Sequence, residues 1–433
     1  MLLIVLILVV IVLSIIGMEI AWAIAMACLA FIFMTQMGWW DREIPLVLFA
    51  QSMREGLNSF VLLAIPLFVF AGELMNASGV THRMVRVASV LVGHRSGGLA
   101  NVGVTANFIM SGVSGSAVAD AAATGTVLVP EMTKRGFPPT FSSAVIASAA
   151  TVGPIIPPSL VFVLLGAIVE VSVGRLFLAG VLPGVIMFVA MFLTTWWICR
   201  ARGFPVEPRA TRQEKVSAAF DGLFALLAPI IIVGSIVGGV ATPTEGAAVA
   251  VAYTLVLGFV VYRSLTIKAV IEAAGATAIA SGVIMLTVAT SQIFAWLAVQ
   301  ARMGEILTEW MLSISDNVWV LLGLANIIML VLGTFMELLP IMLILAPILF
   351  PLFAGMGIDP VHLGVVMVLN LMIGMITPPI GLNLFVLAAI SKQGVFEIFR
   401  EALPYFVTLM IVLALITYVP MLTLTIPTFV MPK

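Results

Sequence analysis

The sequence predicts an all-α polytopic membrane protein built from two inverted structural repeats, each with a re-entrant helical hairpin and a broken helix. Three observations lead there. Of the 433 residues, 62% are hydrophobic and 9% are charged, where a soluble domain carries about 25% charge; mean hydropathy is +1.25. The run Gly153-Pro154-Ile155-Ile156-Pro157-Pro158 recurs 221 residues later as Gly374-Met375-Ile376-Thr377-Pro378-Pro379. Finally, segment 82–95 holds Arg83, Arg86 and Arg95 and no acid, while its partner at that offset, 303–316, holds Glu305, Glu309 and Asp316 and no base. Basic loops face the cytoplasm, so matched loops that lose their Lys and Arg belong on opposite sides.

The repeat is more than one motif. The same offset pairs Gly112 with Gly333, Pro130 with Pro351, Gly136 with Gly357, Pro139 with Pro360, Pro157 with Pro378 and Pro158 with Pro379. A Pro pair in mid-helix removes backbone donors and breaks the helix. In lipid such a break survives only where it is buried or lines a cavity. Paired breaks in two halves point to the binding site of a secondary transporter.

Taken in order, residues 1–16 are almost wholly apolar with no basic residue before them, so they read as a retained first membrane helix and not as a signal peptide. Ala23, Ala25 and Ala27 give a weak small-residue pattern that mimics a cleavage site. A membrane helix needs roughly 20 apolar residues. Further spans fall at about 18–38, 58–80, 139–170 (interrupted), 174–199, 222–241, 244–262, 270–299, 317–333, 361–391 (interrupted) and 402–420. Residues 98–133 and 334–356 are apolar and rich in small residues or Pro, and read as the re-entrant hairpins. The polar linker Arg200 to Lys215, with Glu207 and Glu214 among its five basic residues, falls where the halves must join.

Charge then places 82–95, 134–135, 200–215, 263–268 and 392–401 inside and both termini outside. Trp39-Trp40 before Asp41 and Trp196-Trp197 before Arg200 suit the interfacial belts. Cys28 and Cys199 show no metal spacing and no disulfide framework. The net charge of −1, without a basic arm, gives no sign of a nucleic-acid partner. No phosphate-binding GxxxxGK[ST] loop and no paired-carboxylate or Ser-His-Asp arrangement is present, so the chain reads as a non-enzyme.

The run Ser111-Gly112-Val113-Ser114-Gly115-Ser116-Ala117-Val118-Ala119-Asp120 followed by Gly153 to Ser159 resembles the large membrane subunit of TRAP (tripartite ATP-independent periplasmic) transporters, of the DctM or SiaM type. Ala241-Thr242-Pro243-Thr244-Glu245, Gly333-Thr334-Phe335-Met336 and Asn370 through Gly381 are similar to the same family. Glu337 stands where the family usually has Asp. The resemblance covers nearly the whole chain. It implies an elevator-type fold in the bacterial inner membrane and sodium-coupled uptake of an organic acid. It also implies two partners, a small four-helix membrane subunit and a periplasmic substrate-binding protein. Residues 98–172 and 317–392 would form the moving transport domain, 1–97 and 173–316 the scaffold and connecting helices, and 393–433 a last membrane helix.

The residues themselves suggest two sodium sites. Sodium is a hard cation, expected to take oxygen ligands. The first hairpin tip supplies Ser111, Ser114 and Ser116, and carbonyls at the Gly153 break lack helix partners because Pro154, Pro157 and Pro158 donate nothing. Gly333, Thr334, Gly374 and Thr377 offer the equivalent set in the second half. The plainer reading is that small residues only pack helices. Asp120 is an intramembrane carboxylate, a functional candidate by default, or a structural acceptor of helix N-terminal amides. Glu337 has the same two readings.

Glu245 reads as structural: Thr242-Pro243-Thr244-Glu245 is a capping box with Pro at the first helical position. Glu73 is assigned no role, near the cytoplasmic end of its span. Asn383 either offers an amide to substrate or caps the restarting helix. No Lys or Arg lies between Gly97 and Glu131 or between Trp310 and Ser391, so the acid would be held by bound sodium and half-helix ends among Ser114, Ser116, Pro157, Pro158, Thr377 and Asn383. Two other classes remain open: a stand-alone ion- or proton-coupled anion carrier, and a non-transporting membrane scaffold subunit.

Overall fold

The computed structural model describes residues 6–432 except 7, 11, 14, 15, 40–42, 96, 207 and 208. The expected first helix falls partly outside the described residues, as do Trp40, Asp41 and Glu207. The described helices are α1 (Ile20–Gln36), α2 (Val47–Leu57), α3 (Ala64–Ala77), α4 (Val80–Val92), α5 (Gly98–Ser114), α6 (Ala117–Lys134), α7 (Pro139–Ala149), α8 (Leu160–Ile168), α9 (Val173–Arg202) and α10 (Arg212–Val237). The second half holds α11 (Pro243–Val256), α12 (Ile267–Gln300), α13 (Met303–Ile314), α14 (Val318–Phe335), α15 (Leu338–Gly355), α16 (Pro360–Gly374), α17 (Leu382–Ser391), α18 (Val395–Tyr418) and α19 (Met421–Val430). Among the described residues, eight helical segments are long and apolar enough to cross a membrane. The protein is a multi-pass membrane protein.

The 221-residue offset is written into the helix boundaries. It carries Ala117–Lys134 onto Leu338–Gly355 residue for residue, and both Pro139 and Pro360 start their helices, where a missing N–H costs nothing. The peptide bonds Pro157-Pro158 and Pro378-Pro379 are both cis. One element departs from the repeat. Residues 47–77 map onto the continuous α12, yet they form α2, a 3-10 turn over Phe60–Leu63, and α3. Pro66 has no N–H to donate to Leu62, which removes one α-helical hydrogen bond at the point where the 3-10 turn meets α3.

Three expectations shift. Segments 82–95 and 303–316 are not loops: most of each lies in the amphipathic helices α4 and α13. The join between halves narrows to about 203–211, because α10 begins ten residues early at a Thr211 capping box, with Thr211 N donating to Glu214 Oε2 at 2.7 Å and Glu214 N to Thr211 Oγ1 at 3.3 Å. The second hairpin is not 334–356 preceded by a separate span. Its arms are α14 and α15, with the turn at Met336 and Glu337. The apolar run 317–333 is simply the first arm, which hydropathy alone cannot distinguish from a full crossing.

Two groups of helices result. The 34-residue α12, roughly 50 Å long at helical rise, packs on α1, α2 and α3, while α11 packs on α3. The hairpins and breaks interlock: α17, restarting after the second break, packs on α6 and α7, and α8, restarting after the first, packs on α15. Asn383 Nδ2 donates to Ala147 O at 3.2 Å, joining the second break to the helix before the first. Helix α4 is clasped to α10 by Arg86 to Asp221 (2.7 Å), and Arg83 stacks 3.8 Å over the Tyr262 ring.

Candidate functional site

The first hairpin turns at Gly115, whose φ of 61° is a left-handed conformation that favours glycine. A Cβ at Gly115 would also lie 2.9 Å from Pro158 O, so the tip rests directly on the first break. Ser116 then caps α6, accepting from Ala119 N at 3.4 Å. Ser114 donates to Asp120 Oδ1 at 2.5 Å. Asp120 is wholly buried, and its Oδ2 has no hydrogen-bond partner. That oxygen faces Gly153, where a Cβ would stand 2.9 Å away. Ser114, Asp120 and Gly153 therefore converge.

The second set also converges. Gly333 and Gly374 pack backbone to backbone: a Cβ at Gly374 would lie 2.7 Å from Gly333 O. Thr334 O accepts from Ile380 N at 3.1 Å. The Thr334 and Thr377 hydroxyls donate to Val331 O and Ile373 O, both at 2.8 Å. Ser111 likewise donates to Phe108 O at 2.6 Å. A hydroxyl that gives its proton to a carbonyl keeps its lone pairs for another group. Their lone pairs thus remain free to accept from a donor or to contact a cation.

A cavity of about 460 Å³ lies between the hairpin tips and helices α3 and α12, within the usual size of small-molecule sites. Ser114, Ser116 and Pro154 line it from the first half, Glu337, Met375 and Leu382 from the second, and Glu73, Asn76 and Thr287 from α3 and α12. Four expected substrate contacts are absent from this lining. Pro157 and Pro158 are buried beneath Gly115. Asn383 is fully buried, its amide turned to Ala147 O. Thr377 lies on a part of the second break that turns Met375 and Leu382, not itself, toward the cavity.

Glu73, given no role from the sequence, lines the cavity. The rule that singles out Asp120, a carboxylate inside an apolar span, applied equally to Glu73. Glu337 occupies the N-cap position of α15, but its side chain makes no capping bond and is open to the cavity. Glu245 is structural as expected: Thr242 N donates to Glu245 Oε2 at 2.7 Å and Glu245 N to Thr242 Oγ1 at 3.3 Å.

The sequence profile described as "Tripartite ATP-independent periplasmic transporter, DctM component" matches residues 7–422. The chain belongs to this family. The sialic acid TRAP transporter large permease protein SiaM of Vibrio cholerae is 39% identical over 411 residues, 95% of each chain. The C4-dicarboxylate TRAP transporter large permease protein DctM of Pseudomonas aeruginosa is 37% identical over 390 residues, 89% of each chain. The crystal structure of the Alcanivorax borkumensis YdaH transporter shares the fold, with a TM-score of 0.63 at 15% identity, covering 85% of this chain and 86% of that one. As a TRAP large permease the chain is a transporter subunit, not an enzyme.

Proposed function

We propose that this chain is the large transmembrane subunit of a sodium-coupled transporter that imports an organic acid across a bacterial inner membrane, with both termini on the periplasmic side. Its partners are a small four-helix membrane subunit and a periplasmic binding protein that delivers the acid. The names of the relatives, which concern sialic acid and C4-dicarboxylates, support the organic-acid class. The observation that carries the reading is the convergence of both hairpin tips and the edges of both breaks on one cavity, bordered on its other side by α3 and α12.

Two sodium ions would sit at Ser114, Asp120 and Gly153, and at Gly333, Thr334, Gly374 and Thr377, with Ser111 behind the first. The unpartnered Asp120 Oδ2 fits a cation and no neutral donor in reach. Filling these sites would draw each tip onto its break and add positive charge beside the cavity. The interlocked hairpins and breaks would then slide against α12 as one body, exposing the cavity to alternate sides.

The test is uptake by proteoliposomes holding both membrane subunits, supplied with the binding protein and the labelled acid it carries. Uptake should require the binding protein and an inward sodium gradient. Equal uptake with potassium replacing all sodium would end the coupling claim, and uptake without the binding protein would favour a stand-alone carrier.

A further inference from the structure

A second concavity opens outward, between two membrane spans. Residue 194 of α9 meets 408 of α18, 195 meets 405 and 202 meets 401, so the two helices run antiparallel. Thr194 Oγ1 and Thr408 Oγ1 stand 2.8 Å apart, and beside them Thr195 Oγ1 and Tyr405 Oη are 3.0 Å apart. Small hydroxyl side chains of this kind let facing spans close up. Leu193 and Trp197 rise on one side of the threonine pair and Leu403 and Val407 on the other, all four exposed. The result is a groove of about 650 Å³ with hydroxyls at its floor and apolar walls.

One end of the groove is basic. Arg202 donates to Glu401 at 2.7 Å and fastens the ends of α9 and α18 together there. Arg200 follows Trp197 by one turn, and Arg400 precedes Leu403 and Pro404 by one turn, so each stands on the groove face of its helix. Both arginines are exposed, and neither pairs with a carboxylate among the described residues. Arg200 sits instead 5.4 Å from the centre of the Trp196 ring. The charge pattern puts this end at the cytoplasmic face, level with the lipid headgroups. Apolar walls on a membrane span suit an acyl chain, and two unpaired guanidinium groups at the mouth complement a phosphodiester. We propose that the groove between α9 and α18 binds an anionic phospholipid of the inner leaflet. One acyl chain lies between Trp197 and Val407, and the phosphate lies between Arg200 and Arg400. Helix α9 packs on α5 of the first hairpin and α18 on α7, so the lipid braces the pair that backs the first hairpin and break.

The test uses the full chain with its small membrane subunit, reconstituted in phosphatidylcholine. Phosphatidylglycerol or phosphatidylcholine with brominated acyl chains is then titrated in, and contact quenching of tryptophan fluorescence is read. Trp197→Phe isolates the signal of the groove from that of the other tryptophans. Each arginine beside an anionic headgroup is worth about 5-fold in affinity, so the two should favour phosphatidylglycerol at Trp197 by roughly 10- to 30-fold. Arg200→Gln and Arg400→Gln should each remove about 5-fold of that preference, and the double variant nearly all of it. Salt at about 1 M, where the Debye length is roughly 3 Å, should shrink it as well. Leu403→Phe/Val407→Phe, which fills the groove and keeps both charges, should cut quenching by either lipid. Lys215→Gln, exposed on α10 outside the groove, should leave the preference unchanged.

Equal quenching of Trp197 by the two lipids overturns the proposal, and so does a preference that survives in the double arginine variant. A preference lost equally in Lys215→Gln would assign it to the general charge of the cytoplasmic face and not to this groove. Quenching of Trp197 that emerges only once the small subunit is removed would make the groove that subunit's seat. None of these outcomes touches the sodium-coupled uptake proposed above, which is read by transport and not by lipid contact.

Discussion

Ser114 Oγ donates to Asp120 Oδ1 at 2.5 Å and leaves Oδ2 of the same carboxylate buried and unpartnered. A buried carboxylate oxygen without a donor is costly unless another group completes it. Asp120→Asn keeps the shape but removes the charge and sets either an amide N–H or a neutral oxygen at that position. Sodium should then raise the melting temperature of the wild type and fail to do so in the variant, a loss of about 2–3 kcal/mol at sodium levels near 100 times the dissociation constant. A variant with the wild-type sodium midpoint would remove Asp120 from the first ion site.

The second site predicts a steric result. At Gly374 a methyl group would fall 2.7 Å from Gly333 O and 2.8 Å from both Gly333 C and Gly333 Cα. All three clashing atoms are backbone, so the hairpin must lift off the break. Gly374→Ala should cost about 1–3 kcal/mol of stability, as overpacking does, and abolish uptake. Gly275→Ala, in mid-helix with nothing within 4 Å, should instead stabilise by roughly 0.5–1 kcal/mol. Thermal unfolding of both variants in the same detergent checks the contrast.

These two glycines show how far the sequence could be read. Gly333 and Gly374 were found because they repeat with Gly112 and Gly153, and repeated glycine and proline are backbone signals that survive in one dimension. The paired breaks, the hairpin tips and the cap at Glu245 were legible for the same reason. The place of Glu73 on the cavity wall was not, because its partner position in the repeat is Phe294 and no repeated backbone signal marks it. Asn383 is expected at the ligand because a polar residue after a break suggests such a contact; tertiary packing instead aims its amide nitrogen at Ala147 O and leaves its Oδ1 buried without a partner. The second hairpin was mis-bounded because its first arm is apolar enough to pass as a full span. Helices α4 and α13 were read as loops because charge was weighed and the period of their apolar residues was not.

Inversion itself has a direct test. His82 on α4 and Glu309 on α13 are both exposed and lie in matched elements. Both native cysteines are buried, which keeps background labelling low. In intact cells a membrane-impermeant maleimide should label Glu309→Cys and spare His82→Cys until the membrane is opened. Equal labelling of the two before opening would mean the repeats are not inverted.

Movement between the two groups of helices can be stopped with one bond. Gly112 on the first hairpin lies against Pro229 of helix α10: a Cβ at Gly112 would be 3.3 Å from Pro229 Cβ. Disulfides span Cβ separations of roughly 3.5–4.5 Å, so Gly112→Cys with Pro229→Cys should close with little adjustment. If the hairpins travel past the scaffold during each cycle, oxidation should reduce uptake to background and reduction should restore it, while each single variant stays active. Binding of sodium, measured on the locked protein, should persist, because the tip and its break remain together on the same side of the bond. Continued uptake by fully cross-linked protein would rule out sliding at this contact and place the moving boundary elsewhere in the fold.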